Sequence, residues 1–196
     1  ADGIPFIFHD DDLTRLLGKD LLFNTLHSEE IHQLRLFKSY QIPTLEAALK
    51  KFPSALFQID VKTDEVAMPT MQVIKELGAF DRVCIASFSS KRLKLVKEHY
   101  PETCLSMGPI EVLKLLLSSF GLYKKTIQGD CLQIPIYQYG IKLVTKRLIK
   151  FAHSLSLKIH VWTINDEVVM QEMINLGVNG IITDKPKLLK EVLSRN

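Results

Sequence analysis

Short apolar runs, several of them β-branched, alternate along this chain with longer stretches of helical period, and that alternation limits the folds open to it. The runs lie at 4–8, 55–61, 83–88, 131–136, 158–164 and 180–183, with a weaker candidate at 103–107. Helical spacing is expected at about 44–52, 66–78, 89–99, 109–120, 145–155, 166–176 and 186–194. Boundary residues agree with several of these ranges. Gly78 and Gly177 suit C-terminal caps, Pro109 and Pro186 suit first turns, and Ser89 or Ser90 can cap the helix that follows. Runs such as ALFQIDV and GIIT are apolar on both faces, which suits strands covered by helices, so a mostly parallel sheet is expected.

Polar chemistry collects at one end of these runs. His9 and Asp10 end the first, Asp60 and Lys62 the second, Trp162, Thr163 and Asn165 close a later one, and Thr183 and Asp184 end the last. In a parallel βα barrel the C-terminal strand edges share one mouth, where residues distant in sequence converge. A doubly wound sheet also places its site at strand ends, but its glycine-rich phosphate fingerprint is absent, which favours the barrel. Within IDVK, Asp60 and Lys62 stand two residues apart and so project to the same face. A carboxylate and an ammonium inside a barrel are costly unless paired or bound to a metal or anion. Isolated histidines after strands are often structural, Trp162 could be core, and Asp184 before Lys185–Pro186 could cap the last helix. His27 and His32 lie five apart on a helix, and the other histidines show no zinc spacing.

Composition excludes some alternatives. The 196 residues are 46% hydrophobic without a run long enough to span a bilayer, so one sizeable core and a single domain over 1–196 are expected. A formal charge of +3 from 25 basic and 22 acidic side chains, scattered rather than striped, leaves no nucleic-acid footprint. Cys84, Cys104 and Cys131 read as reduced structural thiols, which suits a cytoplasmic location.

The series HDDDLTR, IPTLEAAL, IDVKTD, DRVCIASFSS, LQIP and HVWTINDEVVMQEMINLGVNGIITDKP resembles the bacterial glycerophosphodiester phosphodiesterases over nearly the whole chain. Its closing block is the most specific part. The resemblance implies a TIM-type (β/α)8 barrel of the phospholipase-C-like phosphodiesterase kind. It also implies hydrolysis of glycerophosphodiesters to sn-glycerol 3-phosphate and an alcohol, with one divalent metal, Ca²⁺ or Mg²⁺. By the same resemblance His9 protonates the leaving oxygen, Asp10 supports it, Asp60 binds the metal, Lys62 serves catalysis by holding the phosphate, and Trp162 lines the glycerol side. Asp60 stands where the family more often has Glu.

The family's His-Arg and Glu-x-Asp strands have no counterpart in these residues. Ala1-Asp2-Gly3 resembles the turn just before the HD strand, so a barrel incomplete at its N-terminus, with impaired activity and a tendency to self-associate, is expected. The Leu-rich stretch 109–123 is either an ordinary barrel helix or an apolar lip. The second reading would allow peripheral membrane contact, or a lysophospholipid substrate cleaved by lysophospholipase D-like activity. A non-catalytic remnant binding phosphodiesters or a protein is the remaining alternative.

Overall fold

Helix and strand signals in the sequence translate into a sequence of short elements in the computed structural model, which describes residues 2–195. In chain order these are β1 (Asp12–Leu13), α1 (Thr14–Leu17), β2 (Lys19–Leu22), α2 (Ser28–Gln33), α3 (Leu45–Lys51), β3 (Phe57–Asp60), α4 (Ala67–Glu76), β4 (Val83–Ala86), α5 (Ser90–His99) and β5 (Cys104–Leu105). There follow α6 (Pro109–Ser119), β6 (Cys131–Pro135), β7 (Tyr137–Gln138), β8 (Ile141–Lys142), α7 (Lys146–Ser154), β9 (Lys158–Trp162), α8 (Glu167–Leu176), β10 (Gly180–Ile181) and α9 (Pro186–Leu193). They form two compact units: Ala1–Ile85 with Lys94–Thr103, and Ala86–Leu93 with Cys104–Asn196.

In the first unit the apolar run at 4–8 is not a strand, contrary to expectation. Pro5 has no N–H, and its carbonyl accepts from Leu45 N–H at 2.8 Å, while Ile7 N–H donates to Pro43 O at 2.9 Å. Phe6 therefore makes only an isolated antiparallel bridge, to Thr44. The run is amphipathic rather than buried on both faces: Ile4 and Ile7 are exposed, while Phe6 and Phe8 pack against a small core of Leu13, Leu26, Ile31 and Ile42. Phe8 stacks on Phe23 at 4.4 Å between centroids. An antiparallel ribbon of β1 and β2, which the sequence reading did not anticipate, follows directly. The expected turn at Ala1-Asp2-Gly3 lies partly outside the described residues. Its Asp2 accepts from Ser28 N–H at 2.8 Å, and hydrogen bonds from the Ser28 side chain and then its backbone hold the carboxyl down at about 2.

Three parallel strands, β6, β9 and β10, form the sheet of the second unit. Met107 N–H donates to Cys131 O and Asp130 N–H to Leu105 O, which sets the short β5 segment beside the start of β6. Next to β6 runs β9, in register from Cys131 opposite Lys158 to Pro135 opposite Trp162, and β10 lies on its other side. One face of this sheet carries Leu132, Ile134, Ile159 and Val161, all closed off from water with Leu148, Met170 and Met173. The candidate strand at 103–107 is thus real. Among the described residues the strands form separate short sheets, not a closed barrel, because several strands are only two residues long and two pairs are antiparallel ribbons.

The closing sequence block is legible in this unit residue by residue. Gly177 ends α8 at φ +89°, a left-handed cap that a β-carbon would strain. Asn179 Oδ1 accepts from Ile159 N–H at 2.9 Å and sits 3.1 Å from His153 Nε2, tying α7 to the start of β9. Gly180 pairs with His160, and a β-carbon there would stand 2.7 Å from the imidazole Cδ2. At the other end Thr183 Oγ1 and Asp184 N–H both donate to Asn165 Oδ1, and Asn165 Nδ2 donates to Asp184 Oδ2 at 2.8 Å. Asp184 therefore locks two loops rather than capping α9, whose N-terminal cap position is Lys185.

Two substitutions test this packing. Ile159→Ala should lower unfolding free energy by about 2–5 kcal/mol, read as a reduced urea midpoint at constant m. Overpacking at Gly180→Ala should cost ~1–3 kcal/mol through the His160 ring, whereas Leu56→Ala, 84% exposed in the wild type, should stay within ~0.5 kcal/mol.

Candidate functional site

The candidate residues of the first unit fall into two pairs, each produced by local geometry. His9 and Asp10 end the extended segment, and α1 then brings Arg15 back over Asp10. The Asp10 carboxylate accepts from Arg15 Nε at 2.7 Å through Oδ2 and from Nη2 at 3.1 Å through Oδ1. His9 Nδ1 meets Asp10 Oδ1 at 2.8 Å. The His9 side chain is 82% exposed, and this bond leaves Nε2 as the ring nitrogen open to a reacting molecule. The Arg15 guanidinium, followed by His9, holds the Asp10 carboxyl below its ordinary value, and Asp10 in turn raises Arg15. Asp10 is thus a fixed anion, suited to orienting an imidazole and stabilising its cationic form, not to donating a proton itself. Arg15 was visible in HDDDLTR without an assigned role. Its signal was the turn that Gly18 ends at φ +64°, which folds the chain back within five residues of Asp10.

Asp60 and Lys62 form the second pair. Their two-residue separation does put both side chains on one side: Lys62 Nζ lies 2.7 Å from Asp60 Oδ2, while the intervening Val61 is buried. The other carboxylate oxygen, Asp60 Oδ1, is buried without a hydrogen-bond partner. Leaving such an acceptor unsatisfied costs roughly 1–3 kcal/mol, so an added ligand there would be favoured. No hydrogen bond or ion pair joins the two pairs among the described residues. The cavity of about 290 Å³ in this unit is lined by Gly3, Ile4, Thr44, Glu46 and Pro69 among others, and none of the candidate residues borders it.

The donor set can be weighed against the expected divalent ion. Hard cations take six or more oxygens, several of them anionic. Among the described residues no three His, Cys, Asp or Glu side chains stand close enough to share an ion. Asp60 Oδ1 is a suitable single ligand, but these residues alone do not fit a complete Ca²⁺ or Mg²⁺ site.

Trp162 belongs to the second unit, at the end of β9 opposite Pro135. Its indole meets Phe88 edge-on, centroids 6.0 Å apart. Phe88 is 67% exposed, an aromatic that the sequence reading passed over within ASFSS although a large apolar side chain beside a strand end was the available signal. His160, one turn of the pleat below Trp162 on the same face, is pushed down in pKa first by burial and then by Lys158.

Asp10 provides a test by titration. Its ionised pairing contributes stability above the ordinary carboxylate value of 3.8 and loses it as pH falls through the lower folded-state value. Side-chain carboxyl NMR should show Asp10 titrating below 3.8, and Arg15→Ala should move it back toward that value. An Asp10 titration unchanged by Arg15→Ala would remove Arg15 from the pair.

Comparison with known proteins agrees with the motifs. The profile of the glycerophosphoryl diester phosphodiesterase family matches residues 1–188. The chain is 29% identical over 198 residues to a protein named probable glycerophosphodiester phosphodiesterase 2 of Mycobacterium tuberculosis, covering 98% of this chain and 75% of that protein. It is 26% identical over 205 residues to a glycerophosphodiester phosphodiesterase of Caldanaerobacter subterraneus, covering 96% of this chain and 79% of the relative. Its fold superposes with TM-score 0.79 on a phosphodiesterase of Oleispira antarctica solved with sn-glycerol-3-phosphate, at 22% identity, covering 98% of this chain and 81% of that one. These neighbours imply a TIM-barrel-like fold, although the described strands themselves form separate short sheets. With a family match spanning almost its whole length, this chain belongs to the glycerophosphoryl diester phosphodiesterase family of phosphoric diester hydrolases.

Proposed function

We propose that this chain acts on glycerophosphodiesters, releasing sn-glycerol 3-phosphate and an alcohol. The observation that carries this reading is His9, exposed and backed by an Arg15-held Asp10 carboxylate. In the reaction, water attacks phosphorus and the P–O bond to the alcohol breaks. His9, protonated and steadied by Asp10, gives its Nε2 proton to the departing alkoxide, and Lys62 offsets phosphate charge by exchanging its contact with Asp60 for one with a phosphoryl oxygen. The product named in the Oleispira structure, sn-glycerol-3-phosphate, is the one this bond cleavage yields.

A divalent ion, when bound, would supply polarisation of the phosphoryl oxygens. Asp60 Oδ1 is the atom of this chain we assign to it, with further ligands required. The 196 residues contain neither a His-Arg pair nor a Glu-x-Asp triplet, so the base that takes the proton from water has no assigned residue here. Turnover should accordingly be slow, since a general acid–base group is worth roughly 10²–10⁴ in rate.

The test is an assay of the chain on glycerophosphocholine with Ca²⁺ or Mg²⁺, run beside the Oleispira phosphodiesterase. The expected product is sn-glycerol 3-phosphate, formed more slowly than by that enzyme; phosphocholine as product would overturn the reading, and equal rates would show that the absent motifs are dispensable. Calorimetry separates binding from chemistry. Lys62→Met should weaken sn-glycerol 3-phosphate binding about 10–100-fold, the equivalent of one charge-assisted hydrogen bond, while His9→Ala should change it far less.

A further inference from the structure

The second unit presents an apolar and basic face that no part of the phosphodiesterase reading uses. Helix α6 buries Leu115 and packs Val112 and Leu116 against the unit's core. Its other side carries Ile110, Leu113, half-buried Leu117 and, just past its end, Phe120, spaced three, four and three residues apart along one stripe. Ile110, Leu113 and Phe120 are each more than half exposed, and Leu122 beyond them is 74% exposed. An ordinary helix in this position would put polar residues outward.

A second exposed projection belongs to the same unit. The antiparallel pair β7–β8 turns at Tyr139 and Gly140, at φ +49° and +77°, the signature of a tight hairpin turn. Every residue from 137 to 142 is exposed on both faces of the hairpin, Tyr139 at 94%. The Arg147 guanidinium stands 4.6 Å over the Phe120 ring, so the end of the α6 stripe meets the start of α7, a few residues after the hairpin. Lys142 at the end of the hairpin reaches Glu172 of α8 at 3.8 Å.

Charge discriminates between the possible occupants. Residues 109–150 hold seven basic side chains, Lys114, Lys124, Lys125, Lys142, Lys146, Arg147 and Lys150, against Glu111 and Asp130, a net of +5. With +3 for the whole chain, the remaining residues sum to −2. Both acids are engaged, Glu111 with Ser90 and Lys114, and Asp130 with Leu105 N–H, while Lys142 is paired with Glu172 of α8. A second copy docking here would set one net-positive face against another. An anionic bilayer offers instead negative headgroups for the lysines and an acyl boundary for the isoleucine, leucine and phenylalanine side chains, with tyrosines suited to the headgroup layer. Spanning is excluded for this helix, because no described helix is long and apolar enough to cross a membrane.

We infer that α6, the Phe120–Lys125 segment and the β7–β8 hairpin form a docking face for the surface of an anionic lipid bilayer. The hairpin follows β6, whose Pro135 lies opposite Trp162, so docking brings the Trp162 end of this sheet toward the headgroups. The inference uses only the second unit and stands apart from hydrolysis.

Flotation of the wild-type chain with vesicles tests it, using phosphatidylcholine alone and an equal mixture with phosphatidylglycerol. The chain should float with the mixed vesicles and not with the neutral ones, and binding should fall as sodium chloride rises. Leu122→Ser with Tyr139→Ser, both at highly exposed positions, should reduce partitioning at least about tenfold, and Lys124→Glu with Lys125→Glu should do so by a similar factor, each with an unchanged thermal midpoint. Absence of flotation with the mixed vesicles, or flotation unaffected by both double variants, would overturn the inference. So would a dimer of the free chain that the Leu122/Tyr139 variant dissolves while vesicles bind neither form.

Discussion

The contact between Gly180 and the His160 ring is the constraint on which the second unit's sheet depends. Strands β9 and β10 pair without displacing the His160 ring only if the residue opposite it has no side chain, because the imidazole already fills that space. Pairing then fixes the pleat of β9, which sends Ile159 and Val161 into the closed core and His160 and Trp162 to the opposite face. A one-residue slip would exchange those sets. Asn179 at one end and the Asn165–Thr183–Asp184 group at the other hold the register, so the polar residues of the closing block act as clamps on an apolar sheet.

In the first unit, the proposed function rests on how two carboxylates are satisfied. Asp10 has both oxygens occupied, by Arg15 and His9, and is thereby kept ionised and immobile. Asp60 has one oxygen on Lys62 and one buried with nothing to accept from. A fully satisfied carboxylate behaves as a support for its histidine; a half-satisfied one is poised to take a further partner. The chemistry proposed for the family member follows this asymmetry: His9 moves a proton, and the Asp60–Lys62 pair meets the charged part of the substrate.

The exposed face around α6 bears on the same theme at a different scale. Its apolar residues alone would be an aggregation liability, and its lysines alone an ordinary solvated surface. Their overlap, with the neighbouring acids already engaged, is what distinguishes an interfacial surface from either.

Much of this protein is written locally in its sequence. Caps at Thr44, Ser89, Thr145 and Asp166, prolines at 109 and 186, and glycine at 177 bound their helices by interactions within three or four residues, so α3 and α5 to α9 are legible without tertiary information. The Asp60–Lys62 pairing was legible for the same reason, since strand periodicity alone puts positions two apart on one side. Tertiary structure decided the rest. Residues 4–8 look like a strand, but their backbone partners are the irregular residues Pro43–Leu45, and an apolar run cannot reveal what its hydrogen bonds will meet. Arg15 reaches Asp10 only because α1 turns the chain back, Phe88 finds Trp162 across seventy residues of sequence, and Asp184 chooses Asn165 over the helix that follows it. Local spacing determines which side chains share a face, whereas long-range packing determines which faces, and therefore which charges and rings, are brought together.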